Sequence, residues 1–257
     1  MHHGWAHLYG LSVKLGARDL LHHGPSREAA IRIGIPLDPS RYLELPWAEQ
    51  TLEARPGDRV LDLASPKLLA VALARTGVEI VSVDAFSLEI ERWHRLAPDV
   101  RFEVADGRSL SFEDASFDRA YSVSVVEHIE DDGDEQALRE LARVVRPGGR
   151  ILLTVPYADT YWEDWRDRPL YSSDGEPEAA KYFFERWYDT ARLDQLVGSA
   201  PVREVSRELA RTEPNWSRRY NRNFPWLLPL GPVFGLLGHE VTGPGGDVAR
   251  LVLERAG

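Results

Sequence analysis

Between residues 59 and 84 the apolar positions fall into three groups. Val60, Leu61 and Leu63 form a short run that stops at turn-forming residues. Leu68, Leu69, Val71, Ala72 and Leu73 then recur at helical spacing, and residues 78–83 make a second short run that ends on Asp84. This pattern predicts a strand, a turn, a helix and a second strand. The alternation continues with a helix over 87–96, a strand over 100–105 that ends at Asp106-Gly107, and a strand over 116–124. Glu127-His128-Ile129 follows, and then a helix from about 134 to 145 with Leu138, Leu141, Ala142 and Val145 on one stripe. Pro147-Gly148-Gly149 reads as the reversing turn into an almost wholly apolar strand, 150–155, as expected at the centre of a sheet. Five strands alternating with helices predict an α/β fold built on a doubly wound, mostly parallel sheet.

The flanks depart from this regularity. Residues 26–34 read as a short helix capped by Ser26, Pro36 and Pro39 break the chain, and 41–52 is helical up to the turn Pro56-Gly57-Asp58. Residues 1–55 are therefore expected to form a helical cap, and 56–257 the main domain. His2, His3, His7, His22 and His23 crowd the first 25 residues. Their spacing fixes no ligand geometry, so a frayed or surface helix is expected there and no metal site. Beyond the fifth strand, residues 156–181 carry Tyr157, Tyr161, Trp162, Trp165 and Tyr171 among acids without a period, which reads as a loop or lid. A helix over 189–198 has Asp189 as its cap, and 202–209 and 248–253 read as strands. Residues 210–247 are too many for a bare loop, so segments near 156–181 and 210–247 are expected as insertions on the substrate side.

Composition narrows the function. The chain has 257 residues with 31 basic against 41 acidic side chains, a formal charge of −10, so its overall field repels polyanions and no nucleic-acid partner is expected. The absence of cysteine excludes disulfides, thiolate catalysis and Cys-ligated zinc. No leader pattern and no run of 18 apolar residues is present, so a soluble cytoplasmic protein without a membrane span is expected. Residues 218–237 run from basic to strongly apolar. Burial against the core, a peripheral or lipid-like contact through 224–237, and a homodimer contact all remain open for them.

Chemistry concentrates at the carboxyl ends of the strands, where open α/β sheets bind ligands. Asp84 lies 22 residues beyond Asp62, near the offset of about 20 at which an acid reaches a ribose diol. Val60-Leu-Asp-Leu63, Val81-Ser-Val-Asp84, Ala105-Asp-Gly107 with Phe117-Asp118, Val126-Glu-His-Ile129, and Leu141-Ala-Arg-Val-Val-Arg-Pro-Gly-Gly-Arg-Ile-Leu152 follow in order. In these stretches the chain resembles the class I S-adenosylmethionine-dependent methyltransferases, whose Rossmann-like sheet closes with a C-terminal antiparallel hairpin.

The resemblance implies transfer of a methyl group from S-adenosylmethionine to a small-molecule O, N or C nucleophile. It implies that Asp62 orients the first turn or contacts the cofactor's amino group through water, that Ala64 and Ser65 line that turn, and that Asp84 accepts from both ribose hydroxyls. Ala85 and Phe86 would border the adenine, Asp106 with Gly107 would face its amino group, and Ser122 would lie below the methionine portion. His128 falls where this fold places the methyl acceptor, and its imidazole is the candidate proton acceptor. One departure stands out: the family's glycine-rich first turn is here Ala64-Ser65-Pro66-Lys67. That turn leaves a non-catalytic binding or assembly protein as the alternative. The missing Gly-x-Gly-x-x-Gly counts against a nicotinamide-dependent dehydrogenase.

Overall fold

The strands alternate their side chains between two apolar layers, and this sets the architecture. In β1 (Arg59–Leu63), Val60 packs to one side of the sheet while Leu61 and Leu63 pack to the other. A computed structural model describes residues 4–37, 41–167, 181–213 and 239–257. The remaining main-sheet strands are β2 (Glu79–Asp84), β3 (Arg101–Val104), β4 (Phe117–Val123), β5 (Val145–Pro156), β8 (Val202–Glu213), β9 (His239–Thr242) and β10 (Val248–Arg255). They form an eight-stranded sheet in the order β3-β2-β1-β4-β5-β10-β8-β9. The first five are parallel; β10 runs antiparallel to β5, β8 antiparallel to β10, and β9 antiparallel to β8. This is the doubly wound, mostly parallel sheet with a C-terminal antiparallel hairpin.

Helices cover both faces. One layer contains α1 (Trp5–His23), α3 (Arg41–Leu52), α4 (Leu68–Ala74) and α5 (Ser87–Leu96), packed on Val60, Ile80, Phe102 and Leu152. The other contains α6 (Gly133–Val144) and α7 (Thr190–Gly198), whose Leu138, Leu141, Ala142, Leu193 and Leu196 meet Leu61, Val81, Ile151 and Leu251. The short α2 (Arg27–Gly34) starts at Ser26, whose hydroxyl accepts from the Ala29 amide at 3.0 Å. Asp189 caps α7 in the same way, accepting from the Arg192 amide at 2.8 Å.

Three local expectations change. The first helix is no frayed end: α1 buries Leu8, Leu11 and Leu15 in the core, because these residues recur at helical spacing and face α3 and α4. Its His2 and His3 lie outside the described residues, and among the described residues no group of three His, Asp or Glu is arranged to hold a metal. Pro147-Gly148-Gly149 falls inside β5 as a bulge opposite β4, beyond a helix that has already ended. A Cβ on Gly149 would lie 2.5 Å from the Asp118 carbonyl oxygen, so only glycine passes there.

Within 156–181, β6 (Trp162–Arg166) pairs with β7 (Tyr182–Trp187) in a separate antiparallel hairpin. Cross-strand aromatic pairs hold it, with Trp162 and Trp187 stacked at 5.4 Å and Trp165 against Phe183. Tyr171 and the apolar stretch 224–237 lie outside the described residues. Among those described, no helix is long and apolar enough to cross a membrane.

Candidate active site

The parallel strands deliver their carboxyl ends to one edge of the sheet, and the first turn is built there. Asp62 is fully buried; its Oδ1 accepts from the Ser65 amide at 3.0 Å and its Oδ2 from the Ser82 hydroxyl at 2.6 Å. Burial raises its pKa, opposed by Lys67 and by the two serines. Ala64 bends the chain with φ 54°, a left-handed conformation unusual for a residue with a Cβ, and its amide donates to the Val83 carbonyl. The Ser65 hydroxyl accepts from the Val123 amide at 2.9 Å, and the Ser122 hydroxyl donates to the Leu63 carbonyl at 3.2 Å. Both serines are buried and tie the first turn to the end of β4.

At the end of β2, Asp84 is 8% exposed. Its Oδ1 accepts from the Phe86 amide at 3.1 Å, and its Oδ2 pairs with the Lys67 ammonium at 3.0 Å. Ala85 is exposed, and Phe86, 39% exposed, directly precedes α5. Asp106 is also exposed, but Arg108 grips it with Nε and Nη2, and this pairing holds its carboxyl below the usual range. Gly107 packs on the end of β1: a Cβ there would lie 2.9 Å from Leu63 Cδ1.

The end of β4 carries a different set of groups. The 3-10 turn Val126–His128 presents the His128 ring, whose Nδ1 lies 2.6 Å from the Phe184 carbonyl oxygen of β7. A carbonyl only accepts, so Nδ1 carries the proton and Nε2 carries the lone pair. Burial lowers the His128 pKa, and the nearby cations Arg41 and Arg166 add to this, while the Phe184 bond opposes it. The imidazole is accordingly neutral at pH 7.

Glu127 is almost wholly buried, and its Oε2 has no hydrogen-bond partner among the described residues. Burial, reinforced by Glu185 and Glu44, pushes its carboxyl well above the ordinary value. Glu44 reaches this edge from α3, where its Oε1 accepts from the Ser124 hydroxyl at 2.8 Å and the Thr154 hydroxyl at 3.2 Å.

The predicted residues therefore gather in two neighbouring groups: Asp62, Ala64, Ser65, Asp84, Ala85, Phe86, Asp106 and Gly107 at the ends of β1 to β3, and Ser122 with His128 at β4. Lys67, Glu44 and Glu127 belong with them and carry no role in the sequence reading. Glu44 had one sequence signal, an acid set inside the apolar stretch 42–48 of a helix.

A family model described as a methyltransferase domain matches residues 61–153. The chain is 38% identical over 177 residues to a demethylmenaquinone methyltransferase of Beutenbergia cavernae, covering 62% of this chain and 72% of that protein. To a demethylmenaquinone methyltransferase of Corynebacterium kroppenstedtii it is 34% identical over 181 residues, covering 62% and 75%. Among solved structures, a geranyl diphosphate methyltransferase in complex with S-adenosylmethionine shares the fold, with a TM-score of 0.58, 14% identity, and coverage of 93% of this chain and 95% of that one.

Proposed function

The chain belongs to the class I S-adenosylmethionine-dependent methyltransferases, and from that premise we propose that it methylates a ring-bearing small molecule seated beneath the β6–β7 hairpin beside His128. The observation that carries this reading is the juxtaposition at β4: a neutral imidazole of defined tautomer, held by the carbonyl of an aromatic hairpin, next to the strand ends that suit the donor. The names of the curated relatives make demethylmenaquinone the first acceptor to test.

The residues present fit the cofactor chemically. Asp84 offers a carboxylate at the edge of the sheet, Phe86 two residues on is an exposed apolar side chain, and Glu44 supplies an acidic group toward β4. In this reading Asp84 accepts from the ribose hydroxyls, Phe86 packs on the adenine, and the first turn with Ser122 borders the methionine portion. When bound, S-adenosylmethionine supplies a methyl group made electrophilic by its sulfonium. For a quinol acceptor, Nε2 of His128 would take the hydroxyl proton as the adjacent ring carbon bonds the methyl group and the sulfonium C–S bond breaks; the hydrogen on that carbon then passes to the oxygen to restore the quinol, and the Phe184 carbonyl stabilises the imidazolium through Nδ1. The stacked Trp162 and Trp187 give one face of the hairpin an aromatic surface of the kind that suits a ring system.

The test uses the full chain with methyl-labelled S-adenosylmethionine and reduced demethylmenaquinone. Label is expected in the quinone fraction, and Asp84→Asn is expected to weaken cofactor binding about tenfold or more, the cost of its charged hydrogen bonds. Cofactor binding without label in demethylmenaquinone or in smaller phenols and quinols would overturn the acceptor class.

A further inference from the structure

Lys67 is the least expected group at this edge. It stands in a turn that its relatives' resemblance would make glycine-rich, directly before α4, and it is only 3% exposed. Its ammonium lies 3.0 Å from the Ser65 carbonyl oxygen, 3.3 Å from that of Val83 and 3.0 Å from Asp84 Oδ2, with Asp62 Oδ2 at 3.9 Å. Three protons meet three acceptors. The ammonium thus has none left to offer a ligand, and it ties the first turn to the end of β2.

We propose that Lys67 is a positioning residue for the cofactor: it holds the Asp84 carboxylate in place with one edge open to the ribose diol. This rests on the ribose role given to Asp84 above. An ionised carboxylate has about four lone-pair sites. The Phe86 amide takes one on Oδ1 and Lys67 takes one on Oδ2, which among the described residues leaves one on each oxygen, the arrangement a vicinal diol engages. Lys67 also places a cation between two buried acids, 3.0 Å from Asp84 Oδ2 and 3.9 Å from Asp62 Oδ2.

The test is calorimetric titration of the full chain with S-adenosylhomocysteine, comparing wild type, Lys67→Met, Asp84→Asn and the double variant. Asp84→Asn and Lys67→Met are each expected to weaken binding about tenfold or more, and the double variant to be no weaker than Asp84→Asn within about twofold, because both changes act through one carboxylate. If Asp84→Asn leaves affinity unchanged, the ribose reading itself fails. If Asp84→Asn weakens binding while Lys67→Met does nothing, tightens it, or multiplies with Asp84→Asn, the Lys67 inference fails alone.

The native chain gives a second readout that does not depend on the variants folding. It contains three lysines, Lys14, Lys67 and Lys181, and Lys14 and Lys181 are exposed. In a sample labelled with 15N-lysine, the protected ζ-ammonium signal should belong to Lys67 and should shift yet persist when S-adenosylhomocysteine is added. Its loss to solvent exchange on binding would mean that the ligand displaces Lys67, and the inference would be overturned.

Discussion

Replacing Asp134 by alanine tests how the β6–β7 hairpin is fixed to the sheet. Asp134 is fully buried at the start of α6. Its Oδ1 lies 2.5 Å from Arg186 Nη1, Arg192 Nη2 donates to both of its oxygens at 2.9 Å, and the Tyr188 hydroxyl donates to Oδ2 at 2.8 Å. One carboxylate therefore joins α6, β7, the residue after it, and α7. Arg186 is itself 1% exposed, and without Asp134 it keeps only its bond to the Ile129 carbonyl among those described. Stranding a buried cation in this way costs about 3–5 kcal/mol. Domains of this size lose about 2–4 °C of melting temperature per kcal/mol, so the midpoint should fall by about 6–20 °C. Scanning calorimetry measures it, and Asp134→Ala/Arg186→Met should recover much of the loss by removing the stranded charge as well. A fall of less than about 3 °C, or a double variant no better than Asp134→Ala, would refute the assignment of this ion pair as the anchor.

Two further outcomes follow from the titrating groups at β4. Burial lowers the His128 pKa, so the neutral base persists below the ordinary histidine value of about 6.5. The acid limb of kcat/KM against pH should lie below that value, and His128→Asn should remove the limb and lower kcat/KM by about 10²–10⁴-fold; a limb above pH 7 would count against His128 as the base. For Glu127 the folded-state pKa is raised, so the folded chain binds the extra proton between the unfolded value of about 4.3 and its own, and stability falls as pH rises through that window. Glu127→Gln should flatten the decline of melting temperature as pH rises above the ordinary carboxylate value and match wild type near pH 4; equal slopes for both proteins would show that Glu127 does not carry the dependence.

The sheet could be read from the chain because each parallel strand is covered on both faces, and this requirement writes itself as short apolar runs bounded by turn residues. Leu61 and Leu63 face one layer while Val60 faces the other, and the same parity orders Ile151, Leu152 and Leu153 in β5. Periodicity carries less where a strand belongs to a small exposed hairpin. β6 is largely exposed and held to β7 by aromatic pairs, so its residues show no strict alternation and fall within the stretch 156–181 that reads as a loop or lid. The bulge in β5 escaped for a related reason: Pro147-Gly148-Gly149 has turn chemistry, and only pairing with β4 makes it part of a strand.

The polar groups of the site obey no period at all. Glu44 meets Thr154 across 110 residues of chain, and His128 meets the Phe184 carbonyl across 56. Asp84 and Asp106 stand out because strand ends are predictable places for acids, whereas partners such as these are chosen by the folded arrangement. Lys67 did leave a trace. Six of the seven residues of α4 are buried, so a lysine at the start of that helix has no wet face along which to extend. Its charge has to be met inside the protein, and the acids at the ends of β1 and β2 are the groups close enough to meet it. A cation placed directly before a helix that is apolar all round thus points to a buried acid nearby, and here that acid is the one assigned to the ribose.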